Sequence, residues 1–168
     1  MKTRRGFTII EILVVVVIIA VVFTGISGLL AFSLRASKVH TSTVEATFLA
    51  HETMEALRNF RDGVAWNTDD PSDDYDGIGL RDVNAVYHIA QSVGATPRWY
   101  LVSGAETVGI YSRWLEFSNV YRDGNDDIAS SGALDADSRK VKVAVTWQEH
   151  GITQSVMVEN YITNWREP

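Results

Sequence analysis

The chain has 168 residues, a formal charge of −6 and no cysteine. The missing thiols exclude a disulfide framework and any thiolate metal site. The acidic balance argues against a sequence-independent nucleic-acid binder, which needs a basic surface to displace counterions, though not against one local basic patch.

The first eleven residues, Met1-Lys-Thr-Arg-Arg-Gly6-Phe7-Thr-Ile-Ile-Glu11, join a basic head (Lys2, Arg4, Arg5) to a Gly-Phe junction and a helix with one acid near its start. Residues 12–34 are Ile, Leu, Val, Ala, Phe, Gly, Thr and Ser only. At about 1.5 Å per helical residue this run reaches roughly 34 Å, enough to cross a bilayer core of about 30 Å. The basic residues before it, with no acid among them, predict that this end stays cytoplasmic and the body of the chain is exported. A cleaved secretory signal fits less well, because its apolar region is about 7 to 15 residues long and ends in a small-residue site such as Ala-x-Ala.

Gly6-Phe7-Thr8-Ile9-Ile10-Glu11, set between the basic leader and the apolar helix, resembles the class III signal of type IV prepilins and of the pseudopilins of type II secretion. The resemblance implies that a prepilin peptidase/methyltransferase cuts after Gly6 on the cytoplasmic side and N-methylates Phe7, the new N-terminus. It also implies an inner-membrane assembly platform and other pilins or pseudopilins as partners in a helical filament. Loss of the leader with its three cations leaves 12 basic against 21 acidic residues, a formal charge of −9.

Glu11 admits two readings. A charge at the centre of a membrane helix costs roughly 2.5 to 3.5 kcal/mol, but Glu11 lies about 6 Å of helix rise beyond Phe7, so it is tolerable as an interfacial acid. Alternatively, the amine created at Phe7 pairs with the Glu11 of a neighbouring subunit. In low dielectric such a pair is strong, and any other stagger leaves a charge unpaired, so it would set the axial register. The resemblance assigns the matching Glu this assembly role. Gly25 and Gly28 lie in the outer half of the run. They serve either close helix approach or a local bend, each weakening the helix by about 1 kcal/mol relative to Ala.

Beyond the apolar run, Val39, Thr43, Ala46, Ala50, Met54 and Leu57 recur at steps of four and three, flanked by Leu49 and Phe60. Lys38, Ser42, Glu45, Glu52 and Asn59 take the opposite side. This amphipathic stripe predicts a helix that continues and carries a sheet, with Asp62-Gly63 as its stop. The expected division is a leader at 1–6, a membrane and assembly helix at 7–34, its amphipathic continuation at 35–61, and an exported β-sheet domain at 62–168. The fold class is α+β, with the pilin-like arrangement of a long N-terminal helix packed against a C-terminal antiparallel sheet.

Residues 66–77 are polar, with five acids between 69 and 76, and read as a loop. Clustered carboxylates either bind Ca²⁺ or form solvated surface. Residues 79–94 are ambiguous, with a short helix or strand at 83–89. Strand chemistry follows at 98–102 and 110–121, the latter with Tyr111, Leu115, Phe117 and Tyr121 on one side. At 139–148, Val141, Val143, Val145 and Trp147 alternate with Lys140, Lys142, Ala144 and Thr146, a half-buried strand. Glu149-His150-Gly151 predicts a turn, and 152–162 returns with Ile152, Val156, Val158 and Ile162 inward. This hairpin and the Asn164-Trp165 tail resemble the sheet and tail of minor pilins and minor pseudopilins of the V and I types.

Asp123, Asn125 and Asp127 alternate like the start of a calcium loop. Ile128 replaces the glycine of an EF-hand and Leu134 its closing Glu, so the pattern is not an EF-hand. A Ca²⁺ clip from Asp123, Asn125, Asp127 and Asp135 or Asp137 stands against an Asx-rich turn closed by local hydrogen bonds. His40, His51, His88 and His150 are scattered, and neither a Gly-x-Ser-x-Gly motif nor a phosphate-cradling glycine loop is present. No catalytic residue or certain cofactor is assigned. The expected function is a structural subunit, of the minor class, in a type IV pilus or type II secretion pseudopilus. The alternatives are a DNA-uptake (competence) pilin and a membrane-anchored binding module that never polymerises.

Overall fold

The computed structural model describes residues 6–149 and 151–165. The leader cations Lys2, Arg4 and Arg5, and His150 of the expected turn, lie outside them. The chain divides into two compact units, Met1–Ser42 and Thr43–Pro168.

One α-helix, α1, covers Ile9–Gly63, ending at the expected Asp62-Gly63. In the first unit its most apolar 18-residue window has a mean hydropathy of 3.1 and no residue buried. Thr24 donates its hydroxyl to the Ala20 carbonyl one turn back (2.8 Å), so its polar group is satisfied inside the helix.

In the second unit, α1 lies on one face of an antiparallel sheet. The strands are β1 (Val86–Gln91), β2 (Trp99–Ser103), β3 (Glu106–Val108), β4 (Tyr111–Arg122), β5 (Ile128–Ala129), β6 (Ala133–Glu149) and β7 (Ile152–Thr163). Their order is β2-β1-β4-β6-β7, with β3 and β5 each pairing with β4. The 83–89 ambiguity resolves as strand β1, and a 3₁₀ turn at Ile78–Leu80 precedes it. Trp66 plugs the end of the core and donates its indole N–H to the Ala136 carbonyl (3.0 Å). The chain passes Trp66 so closely that a Cβ on Gly77 would stand 2.1 Å from its carbonyl oxygen, which only glycine permits.

The core is the α1 face Ala46, Ala50, Met54, Leu57 and Phe60 against Ile89, Leu101, Leu115, Phe117, Val141, Val143, Val145, Trp147 and Ile162. The two alanines keep the helix close to the sheet. Four inward assignments and one outward assignment are corrected. Val39 and Thr43 are exposed, whereas Ser42, expected on the polar side, is buried. Ser and Thr carry too little apolar surface to fix the stripe's phase; the bulky residues from Met54 to Phe60 fix it instead. Tyr121 is not inward: the β4–β6 register shifts between Asn119 and Val120, and this bulge turns Val120 into the core. Ile152 is exposed at the start of β7, while Val156 and Val158 pack partly against the core.

Polar ties join helix to sheet. Tyr111 donates its hydroxyl to Glu45 (2.7 Å). Arg113, buried on β4, donates to Glu106 (2.6 Å) and Glu52 (3.2 Å).

Candidate processing and assembly site at the N-terminus

The helix begins at Ile9 with Thr8 before it, and the Thr8 carbonyl accepts the N–H groups of Glu11 (3.1 Å) and Ile12 (3.3 Å). The Thr8 hydroxyl accepts a long bond from the Glu11 N–H (3.4 Å). Thr8 and Glu11 thus occupy the N-cap and N3 positions, with the Thr8 hydroxyl facing the N3 amide. Thr8 is the residue that sequence reasoning missed, although the threonine three positions before a glutamate signals it. The cap fixes where the helix starts, and Glu11 falls in the first turn, where the helix dipole favours an anion. Phe7 is 80% exposed.

Among the described residues Gly6 has open space around it: a Cβ there would meet nothing within 4 Å. Glu11 is exposed, and among the described residues no cation pairs with it. Cap, acid and exposed aromatic are therefore spaced along one helix start, and among the described residues no ion pair engages the acid.

Residues 1–27 match the family model described as the prokaryotic N-terminal methylation motif. The N-terminus is a type IV pilin-like class III signal peptide. No curated protein and no solved structure matches the chain. The signal peptide and the unburied apolar helix behind it mark the N-terminal segment as an inner-membrane anchor. A long N-terminal helix whose later part carries an antiparallel sheet is the pilin-like α+β arrangement.

Among the residues considered for Ca²⁺, the carboxylates of Asp123, Asp135 and Asp137 accept hydrogen bonds from within the domain. Asp123 Oδ1 accepts the N–H groups of Asn125 (2.8 Å) and Asp127 (3.1 Å), the Asx-turn geometry. Asp135 accepts Arg122 Nε (2.7 Å) and the Asp137 N–H (3.0 Å), and Asp137 accepts Asn164 Nδ2 (3.1 Å). Among the described residues no three His, Cys, Asp or Glu side chains are grouped to hold a metal. In the acidic loop, Arg81 donates to the Asp74 (3.0 Å) and Asp76 (3.1 Å) carbonyls, and the Asp70 N–H donates to Asp76 Oδ1 (2.6 Å). That run is an arginine-closed loop.

Proposed function

We propose that the chain is a structural subunit of the minor class in a type IV pilus or type II secretion pseudopilus. It is inserted with its N-terminus cytoplasmic and its sheet domain exported, cut after Gly6, N-methylated at Phe7 and assembled by helix packing. The observation that carries this reading is the methylation motif at residues 1–27, continuous with a helix that buries none of its most apolar window. Gly6 supports it: a glycine that the fold leaves in open space suits recognition by an enzyme outside the chain.

Cleavage makes an amine at Phe7 beside an apolar surface. When a second subunit packs along α1, water leaves, and an amine and a carboxylate so enclosed must pair or cost several kcal/mol. The neighbour's Glu11, exposed and in the first turn, is the partner that gives one stagger. The chain's part is structural; cutting, methylation and the motor of assembly belong to partner proteins. The resemblance of the C-terminal hairpin to V- and I-type subunits supports the minor class.

Two experiments test this. Mass spectrometry of protein from native membranes should find N-methyl-Phe7 as the first residue; a chain beginning at Met1 removes the filament reading. Glu11→Ala should leave cleavage intact and strongly reduce incorporation into filaments, and normal incorporation would refute the pairing.

A further inference from the structure

The two edges of the sheet differ. β2, five residues long, is covered: the Leu101 N–H donates to the Asp74 carbonyl (3.4 Å), the Tyr75 ring packs tilted against Tyr100 with centroids 5.9 Å apart, and Arg98 lies over Tyr75 at 4.6 Å. β7 is twelve residues long and pairs with β6 along its whole length without a register break. Among the described residues nothing pairs with its other side. It has no Pro, Lys or Arg and no bulge, the devices that ordinarily protect an edge. Its single charge, Glu159, is neutralised by Lys140 (2.7 Å). Ile152 (62%), Met157 (58%) and Tyr161 (46%) are exposed along it.

We propose that β7 is a self-association strand, joining two copies of this chain edge to edge and antiparallel about a two-fold axis through Met157. The sequence Ile152-Thr-Gln-Ser-Val-Met157-Val-Glu-Asn-Tyr-Ile162 is a chemical palindrome. In this register Ile152 meets Ile162 of the other copy, Gln154 meets Asn160, and Val156 meets Val158, all on the face that carries α1. On the outer face Met157 meets itself, Ser155 meets Glu159, and Thr153 meets Tyr161. Like meets like on the inner face and no two charges of one sign coincide, which is what an isologous contact requires. Sliding by two residues either way sets Gln154 against Ile162 or Val158, so the match selects one register.

The backbone phase agrees. The Tyr161 N–H is turned from β6 and is held by the Asn160 side chain (2.8 Å). Odd-numbered residues therefore face the open edge, and Met157 would exchange two hydrogen bonds with its counterpart, the narrow pairing of an antiparallel ladder. The two-fold also fixes which copies meet. β4 runs past Glu45 and then Glu52 of α1. β7 runs parallel to β4, since both are antiparallel to β6. The axis consequently sets the two copies of the 43–63 segment head to tail. If the chain is anchored as proposed above, the partners are copies on different filaments or membranes, not neighbours in one filament. A single strand pair falls short of the roughly 1,200 Å² of a stable interface, so the contact is transient for one pair and gains strength by repetition between filaments.

The test uses the full unprocessed chain in detergent, so its outcome is separable from that of the cleavage reading. Because the chain has no cysteine, Met157→Cys supplies one thiol. Its Cα would lie about 5.5 Å from its counterpart, within disulfide range. Oxidation should give a covalent dimer of twice 18.7 kDa. Ser155→Cys and Glu159→Cys should each stay monomeric alone and cross-link when mixed. Read through the Ser155→Cys and Glu159→Cys mixture, Met157→Lys or Met157→Glu in both copies, at an exposed position that leaves the core intact, should each abolish the cross-link, and Lys in one copy with Glu in the other should restore it. Absence of the Met157→Cys dimer, equal cross-linking by Ser155→Cys alone, or an undiminished cross-link in the mixture with Met157→Lys in both copies would overturn the proposal.

Discussion

The two halves of α1 are equally helical and physically opposite. Residues up to Ser42 present Ile, Leu, Val and Phe outward with almost nothing of their own to cover them, whereas from Ala46 to Phe60 the same helix buries one face completely. The first half has helix propensity and hydrophobicity without tertiary structure; its free energy is set by what surrounds it, lipid or other helices. The second half owes its stability to a sheet that the same chain supplies. One helix thus joins a self-sufficient module to a surface that is completed only from outside.

Substitutions that act on one half and spare the other can break this contrast. Phe60→Ala removes a fully buried ring and should cost about 3–5 kcal/mol, whereas Phe23→Ala, at a site 68% exposed, should leave unfolding of the sheet domain unchanged. Urea denaturation of the full chain in detergent, followed by tryptophan fluorescence, reports both; equal effects would end the distinction. Arg113→Ala strips Glu52 and Glu106 of their shared donor and should cost about 1–3 kcal/mol, read as a lower urea midpoint. In the first half, Gly25→Ala should strengthen the helix by about 0.5–1 kcal/mol. It would appear as slower amide exchange around position 25, with no change in the sheet.

The smallest effect depends on pH. Burial pushes the Asp135 carboxyl up, but hydrogen bonds from Arg122, Ser138 and the Asp137 amide outweigh it and hold the group below its ordinary value. A depressed folded pKa stabilises above the unfolded value of about 3.9 and is lost as pH falls through the folded one. Acidification below about pH 4 should therefore weaken the wild-type domain more than Asp135→Asn, and parallel acid limbs would show that the Arg122 contact contributes nothing.

Much of this was readable from residue order. The uninterrupted apolar run, the absence of Pro from α1, and the Val141-Val143-Val145-Trp147 alternation each carry a period that allows one local structure. The methylation motif at residues 1–27 was readable for the same reason, because its residues are spaced along one short stretch of chain. The phase errors came where local signals are weak. Ser42 and Thr43 differ too little in apolar surface to declare a side, and the bulge after Asn119 depends on a register with β6 that no window around Tyr121 contains.

The sequence by itself determined the membrane segment, the signal, the helix and the hairpin, because each is a periodicity or spacing within a short stretch of chain. Only the tertiary structure decided that Arg113 would be buried between two glutamates, that the aspartates after Tyr121 would bond to arginine and backbone, and that β2 would be covered while β7 stayed open. Those outcomes depend on strand order and on side chains many residues apart, which packing brings together and local propensity does not specify.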